Sequence, residues 1–408
     1  MKTLVKNIQK IITWDIEYKE IISNSSAKIG LIIKDEKIFD IINHDNYKSN
    51  DYDKIIDAKG GVVTPGFIDC HTHPIFSGNR SHEFNLRVKG ETYQEIANKG
   101  GGIKHSIKKI RQSSKNQIFD ECIPRIESFL KKGTTTIEAK SGYGLTLEDE
   151  IKSLEVIKML NKFSDLDIIP TFMGAHDFPE EYKSNKDKYV DLICDRMIPE
   201  IADKKLAVFC DVFCEKGYFN IKQSEKILKT GIEYKLVPRL HADEFVDSDA
   251  AKLAADIGAV SADHLMFSSD DNLNNMARQG VVAVLLPGTT FFLGKDKYVD
   301  SRKILNFKGE IAIASDFNPG SCTIQSMPLI MFLSNMYCKL PIDLSFKACT
   351  SNAAKVLKID DSVGVIKKGF KADILIWSIN NLQDIPYSFD SSDNCIQVII
   401  KNGKEINL

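Results

Sequence analysis

Two histidines, His71 and His73, stand two residues apart at the end of the apolar run Val62 to Cys70. Successive side chains of an extended strand alternate faces, so both imidazoles point the same way. Two neutral imidazoles on one side of a strand's C-terminal end make half of a transition-metal site, borderline-soft enough for zinc and open enough to keep a water. A bare His-x-His recurs by chance, and alone it would read as two ordinary strand residues. Its company changes that reading. His241 closes Tyr234 to His241, and Asp316 closes Ile311 to Asp316, both strand-like runs. A third imidazole and a carboxylate from two later strands complete a His/His/His/Asp set with a position left for water, as a hydrolytic metal site requires.

The elements that must present these residues follow from the hydrophobic pattern. From Val62 onward, β-rich apolar runs alternate with helical periodicity, which argues for parallel strands joined by crossover helices. The expected strands are 62–70, 134–139, 167–173, 207–213, 235–240, 259–263, 281–286 and 311–315. Eight is the number that closes a (β/α)8 TIM-like barrel, so the fold class is α/β. Residues 119–132 place Ile118, Cys122, Ile126 and Phe129 on one helical face and stop at Gly133, while Thr146 followed by Glu148 and Asp149 opens the next helix. An alanine-rich helix is expected to start at Asp247 or Ser248 and end at Gly258, and a last one over 352–357 to seal the barrel.

The two ends of the chain share a different style. Short β-rich segments at 28–34 and 37–42 are separated by polar turns, and 372–377 and 395–403 repeat the pattern. Neither end buries a sheet face alone. The expectation is one small composite β-sandwich domain from residues 1–63 and 356–408, with the barrel at 64–355 inserted between them.

At 408 residues, 43% hydrophobic and 27% charged, the chain has enough apolar surface for a large core. A formal net charge of −2 with both signs interspersed gives no basic face for nucleic acid or an anionic membrane, so a small-molecule partner is expected. No apolar run at the N-terminus reads as a signal peptide and none is of membrane-spanning length, which places the protein in the cytoplasm by expectation. Nine cysteines without a Cys-x-x-Cys pair fit reduced core thiols, Cys210 and Cys214 among them.

The run Pro65-Gly66-Phe67-Ile68-Asp69-Cys70-His71-Thr72-His73, the His241-Ala242-Asp243-Glu244 segment, Asp316, and Gly364 to Asp373 resemble the amidohydrolase superfamily, whose members are metal-dependent barrels with a composite β domain. More narrowly, Phe76 to Phe84, Lys140 to Leu145, Gly174-Ala175-His176 and Ser315 to Gly320 resemble the imidazolonepropionase family. The resemblance covers essentially the whole chain. It implies hydrolysis of the cyclic amide of 4-imidazolone-5-propanoate to N-formimidoyl-L-glutamate, in histidine degradation, by a homodimer holding one divalent ion, zinc or iron, on His71, His73, His241 and Asp316. It further implies substrate contacts from Arg80, Tyr143, His176, Glu244, Asn318 and Gly320.

Chemistry gives these residues roles beside the resemblance. Opening a cyclic amide needs a nucleophile stronger than neutral water, and a divalent ion lowers the pKa of its water to about 7. Asp316 is both a ligand candidate and the nearest base. His264 could donate to the carbonyl oxygen as charge develops there, or act as the base itself. Glu244, three residues past His241, can carry a proton to the departing ring nitrogen. Arg80, seven residues past His73, offers a guanidinium for a pendant carboxylate. Tyr143 and His176 follow the second and third strands and would meet carboxylate or ring.

Three rivals use the same residues. A ring deaminase would need the same histidine and aspartate set, although Arg80 argues for an acid substrate. A binuclear hydantoinase-like or dihydroorotase-like enzyme would need a bridging lysine after the fourth strand, and Lys216 lies close to that place. A barrel without catalysis would serve only for binding. The glycines at 100–102 read as a tight loop, His44 and His105 as solvated residues, and His82, though near Arg80, as wrongly placed for a metal.

Overall fold

The computed structural model describes all residues except 15–20, 25–28, 44–47, 49–50, 92–94, 97–98, 392–394 and 407–408, so that His44 and Lys28 lie outside the described residues. Among the described residues eighteen strands make three sheets. In the N-terminal part these are β1 (Lys2–Ile8), β2 (Lys10–Trp14), β3 (Ile21–Asn24), β4 (Ile29–Lys34), β5 (Lys37–Asn43), β6 (Lys54–Asp57) and β7 (Val62–Pro65). The barrel contains β8 (Phe67–Asp69), β9 (Thr134–Lys140), β10 (Asp167–Ala175), β11 (Phe209–Cys214), β12 (Val237–Ala242), β13 (Ser261–His264), β14 (Val282–Leu285) and β15 (Ile311–Ile313). The C-terminal part adds β16 (Ile374–Trp377), β17 (Ile396–Lys401) and β18 (Lys404–Ile406).

Strands β8 to β15 pair in chain order and in parallel, the eight-stranded arrangement expected of the barrel. The ring is drawn shut between its first and last members by a parallel bridge of Thr72 to Phe317, with Asp316 N–H donating to the His71 carbonyl at 3.1 Å and His73 N–H to the Phe317 carbonyl at 2.7 Å. The seam therefore passes through the candidate ligands. Covered by helices outside and side chains within, strands such as β9 and β11 are buried at every position, which is why they read as continuous runs.

Several expected boundaries move, each for a local reason. Residues 62–70 are two strands, because β7 pairs with β16 and β2 in the small domain, and Gly66 N–H donates to the Asp373 carbonyl before the chain enters the barrel as β8. His71 and His73 follow β8 rather than ending it. The Thr72 bridge keeps them extended, so their rings still share a side. The last barrel strand stops at Ile313, and Asp316 sits beyond it in a left-handed turn at φ 53°. The helix expected over 119–132 starts earlier, at Lys115–Lys131, because Ser114 and Gln117 form a capping box. The alanine-rich helix begins later, at Ala250–Asp256, since the Asp243 carboxylate accepts from the N–H groups of Ser248, Ala250 and Ala251 and holds back its start. The sealing helix spans Ser351–Val356, and the Thr146 cap opens Leu147–Phe163 as expected.

The composite β region is built from both ends of the chain. One sheet runs β5-β4-β1-β6; the other runs β18-β17-β16-β7-β2-β3, with its C-terminal strands laid against N-terminal ones. Val5, Leu31, Ile33, Val63, Ile374, Ile376 and Ile400 fill the core between them. Trp377 ties this region to the barrel, its ring packed edge-to-face with Phe67 at 5.9 Å between centroids and its indole N–H donated to Thr64 Oγ1 at 2.8 Å. All nine cysteines are free thiols, and Cys210 and Cys214 are buried as expected.

Candidate active site

His71, His73, His241 and Asp316 converge at the C-terminal mouth of the barrel, each nearly or wholly buried. His71 Nε2 lies 3.2 Å from His73 Nε2, and Asp316 Oδ1 stands 3.5 and 3.4 Å from the two nitrogens. The His241 ring is 4.5 Å from that of His71, centroid to centroid. His264 joins the cluster: its ring is 5.3 Å from His241, and His71, His241 and His264 form a second group with ligand atoms close enough to share an ion.

What points these rings is a layer of carboxylates beneath them. Asp263 Oδ2 accepts from His71 Nδ1 at 2.6 Å, and Asp211 Oδ1 from His241 Nδ1 at 3.0 Å. With the proton on Nδ1, each imidazole turns an Nε2 lone pair inward, the arrangement by which an outer carboxylate fixes a ligand's tautomer. Burial holds both His71 and His73 well below the usual histidine range, so they are neutral. The Nε2 atoms of His71 and His73 and one carboxylate oxygen of Asp316 thus face each other within 3.5 Å. Nitrogen and oxygen donors in that set fit a divalent transition ion.

The same two aspartates are themselves held by buried cations. Lys140 Nζ donates to Asp211 and to Glu138, both at 2.7 Å, and Arg239 Nη2 donates to Asp263 at 2.6 Å. The signal for this layer was available as charged residues at alternate positions inside apolar strands, Glu138 and Lys140 in β9 and Arg239 and His241 in β12. Sequence reasoning passed over them because a buried charge makes sense only once its partners on other strands are known. Thr289, also missed, donates its hydroxyl to Asp316 Oδ2 and leaves Oδ1 toward the histidines.

Above the cluster lies a cleft, partly open to solvent, lined by His73, Arg80, Tyr143, His176, Glu244 and Asn318 among others. Glu244 is desolvated there, which, together with the nearby Asp316 charge, pushes its carboxyl up to about 8. His264 Nε2 lies 3.8 Å from Glu244 Oε2, and burial pushes its imidazole down to about 3. The His176 ring stacks on His73 at 5.2 Å and lies 5.2 Å from Tyr143. Arg80 is buried, and the Nε and Nη2 side of its guanidinium is already used on Glu83, at 3.0 and 2.7 Å. Its Nη1 occupies the space where a side chain at Gly320 would stand, so a Cβ there would fall 2.0 Å from it. The Asn318 amide is committed to its own turn, accepting from Gly320 and Ser321 N–H and donating to the Asp316 carbonyl.

Lys216, His82, His105 and the 100–102 glycines, set aside from the sequence, stay outside this cleft's lining. Lys216 is exposed beyond β11, which removes it as a bridging ligand. His82 is about half exposed, its side chain at 54%, and its ring meets His105 at 5.0 Å. The 100–102 loop turns tightly, with Gly102 N–H donated to Glu83 Oε1 at 2.9 Å. No helix among the described residues is long and apolar enough to cross a membrane.

Residues 54–144 and 249–406 match the amidohydrolase family. Among solved structures, a triazine hydrolase superposes with a TM-score of 0.74 at 14% identity, covering 99% of this chain and 94% of that one. A guanine deaminase from C. acetobutylicum, with guanine in its active site, gives 0.71 at 16% identity with both chains fully covered. At such identities the likeness speaks for the fold. Sequence relatives are much nearer: the imidazolonepropionase of Brevibacillus brevis is 47% identical over 350 residues, covering 86% of this chain and 82% of its own length. That of Clostridium tetani is 38% identical over 411 residues, covering 98% and 97%. With identity at this level over most of both chains, the chain belongs to the imidazolonepropionase family of amidohydrolases.

Proposed function

We propose that this enzyme hydrolyses 4-imidazolone-5-propanoate to N-formimidoyl-L-glutamate, using His71, His73, His241 and Asp316 to hold one divalent ion, zinc or iron. The observation that carries the reading is a single cleft that joins this ligand set to a buried arginine, Arg80, and to a protonatable acid, Glu244. The relatives' shared name supports the same substrate. A bound ion supplies a strong oxygen nucleophile at neutral pH and polarises the scissile carbonyl.

The chain's own groups handle protons and position. Asp316, one oxygen held by Thr289, takes the proton of the attacking water. His264 is a weak base at a pKa of about 3, so its better role is to donate a hydrogen bond to the carbonyl oxygen as negative charge builds there. Glu244, protonated at neutral pH when its carboxyl sits at about 8, delivers a proton to the ring nitrogen as the ring C–N bond breaks. A cation on Asp316 offsets part of that upward push. Because Glu83 takes one side of Arg80, a substrate carboxylate meets the guanidinium from its Nη1–Nη2 end, with Tyr143 and His176 alongside and the 318–320 turn shaping the floor.

The reading keeps a composite β domain around an inserted barrel, with boundaries near 63/64 and 355/356; the change of sheet at Gly66 supports the division and puts Thr64 and Pro65 with the composite domain. The reading includes a cytoplasmic homodimer whose partner is a small molecule rather than nucleic acid or membrane. The test is to add 4-imidazolone-5-propanoate to metal-supplemented protein and follow loss of the ring absorbance. Turnover is expected, and Glu244→Gln should reduce it by about 10² to 10⁴ with metal content unchanged. Persistence of the ring with metal-replete protein rejects the proposal.

A further inference from the structure

A second buried carboxylate, remote from the ligand set, is spent entirely on one loop. Glu150, in the first turn of Leu147–Phe163, has no exposed surface. Its Oε1 accepts N–H bonds from Gly144 and Leu145, both at 2.9 Å, and from Gly142 at 3.2 Å, while Oε2 accepts from Gly142 at 3.0 Å. The loop is wound around this acid. Gly142 at φ 103°, open to a glycine, and Leu145 at φ 56°, a left-handed conformation that a leucine keeps only where the surroundings hold it, bend three amides inward. From the opposite side Arg111 Nε donates to the Gly144 carbonyl at 2.8 Å. Tyr143 is thereby clamped between two anchored residues.

The same loop sets a neighbour's protonation. The Gly142 carbonyl lies 2.9 Å from His176 Nδ1, and a carbonyl can only accept, so that nitrogen carries the proton. In the neutral ring Nε2 of His176 is then the lone pair, suited to a ring N–H and unsuited to a carboxylate. We propose that Glu150, with Arg111, is a positioning residue for substrate recognition, fixing Tyr143 and the His176 tautomer without touching substrate. This rests on the reading that Tyr143 and His176 contact the substrate, and it sharpens that reading by giving His176 the ring rather than the carboxylate.

Steady-state kinetics on metal-replete Glu150→Gln, Tyr143→Phe and the double variant test it. Gln keeps one acceptor oxygen but presents an NH₂ to inward-facing amides. Glu150→Gln is expected to raise KM by roughly ten- to a hundredfold with kcat changed far less, as misplacement of a contact group does. The double variant should be little worse than Glu150→Gln alone, because both act on one contact. Metal content should match the parent. A parent-like KM in Glu150→Gln beside a raised KM in Tyr143→Phe overturns the positioning role and leaves the substrate reading standing. A parent-like KM in Tyr143→Phe overturns that reading and the proposal with it. Should Glu150→Gln fail to fold, Arg111→Leu removes the loop's other anchor and must raise KM in the same sense; an unchanged KM there overturns the proposal.

Discussion

Among the described residues two lysines are wholly buried, each between two carboxylates, and they sit at opposite ends of the barrel. Lys140 joins Glu138 and Asp211 at 2.7 Å beneath the catalytic mouth. Lys401, from β17, joins Asp167 and Asp373 at 2.8 and 2.7 Å, where β10 begins and the composite domain docks. The local chemistry is nearly the same and the consequences differ. At the upper end each carboxylate also orients something that acts, since Asp211 splits its oxygens between Lys140 and His241. At the lower end the carboxylates face a second lysine, Lys371, and backbone, so the charge only fastens two parts together. Position along a barrel strand thus decides whether a buried ion pair serves catalysis or assembly.

The comparison breaks most visibly through Lys140→Met. Removing one member of a fully buried cluster leaves its partners uncompensated, at about 3 to 5 kcal/mol. Here thermal stability and turnover should fall together, as read by calorimetry and kinetics on the soluble fraction. Asp211→Asn separates the two effects: it preserves shape but weakens the grip on His241, and should cost about 10- to 100-fold in metal affinity or activity. Metal titration monitored by turnover would show it.

Lys401→Met probes the lower cluster. Because Asp167 keeps 29% of its side chain exposed, the expected loss is smaller, about 2 to 3 kcal/mol, with kcat retained in the folded protein. Its pH dependence is also specific. Desolvation alone would raise the Asp167 carboxyl, but Lys401 and then Lys371 outweigh it and hold it below the usual range. A depressed carboxyl contributes stability fully above its unfolded pKa of about 3.9 and loses it as pH falls through the folded value. The parent should therefore lose stability below about pH 4 more steeply than Lys401→Met, in melts across pH. The smallest effect is expected at exposed Lys216. Lys216→Ala should stay within about 0.5 kcal/mol in stability and leave turnover unchanged; a large activity loss would restore a bridging role.

Most of the barrel was legible because its strands are unbroken apolar runs ending in chemically loaded residues. His71, His73, His241 and Asp316 could be grouped from type and strand position alone, and the fold places them at one mouth, in two triads that share His71. What stayed hidden depends on contacts between distant segments. Nothing local at Pro65-Gly66 says that the run divides between two sheets; the partner that claims Val62 to Pro65 lies in β16. Arg80 was readable as a cation at the mouth, but its engagement by Glu83 was not, since an i, i+3 pair gains its meaning only from burial. Asp263 and Lys140 escaped for the same reason.

The pairing of β7 with β16 has a temporal side. Pro65 stands opposite Ile374, so a strand made early has its neighbour 309 positions further along the chain. At roughly 5 to 20 residues per second of synthesis, Val62 to Pro65 waits about 15 to 60 s for that neighbour to emerge. Through this interval the N-terminal sheet has an open edge, the kind of surface that recruits strangers. The barrel between them has to be born before its own base can be closed, which makes the last few dozen residues the step that commits the newborn chain to its final form.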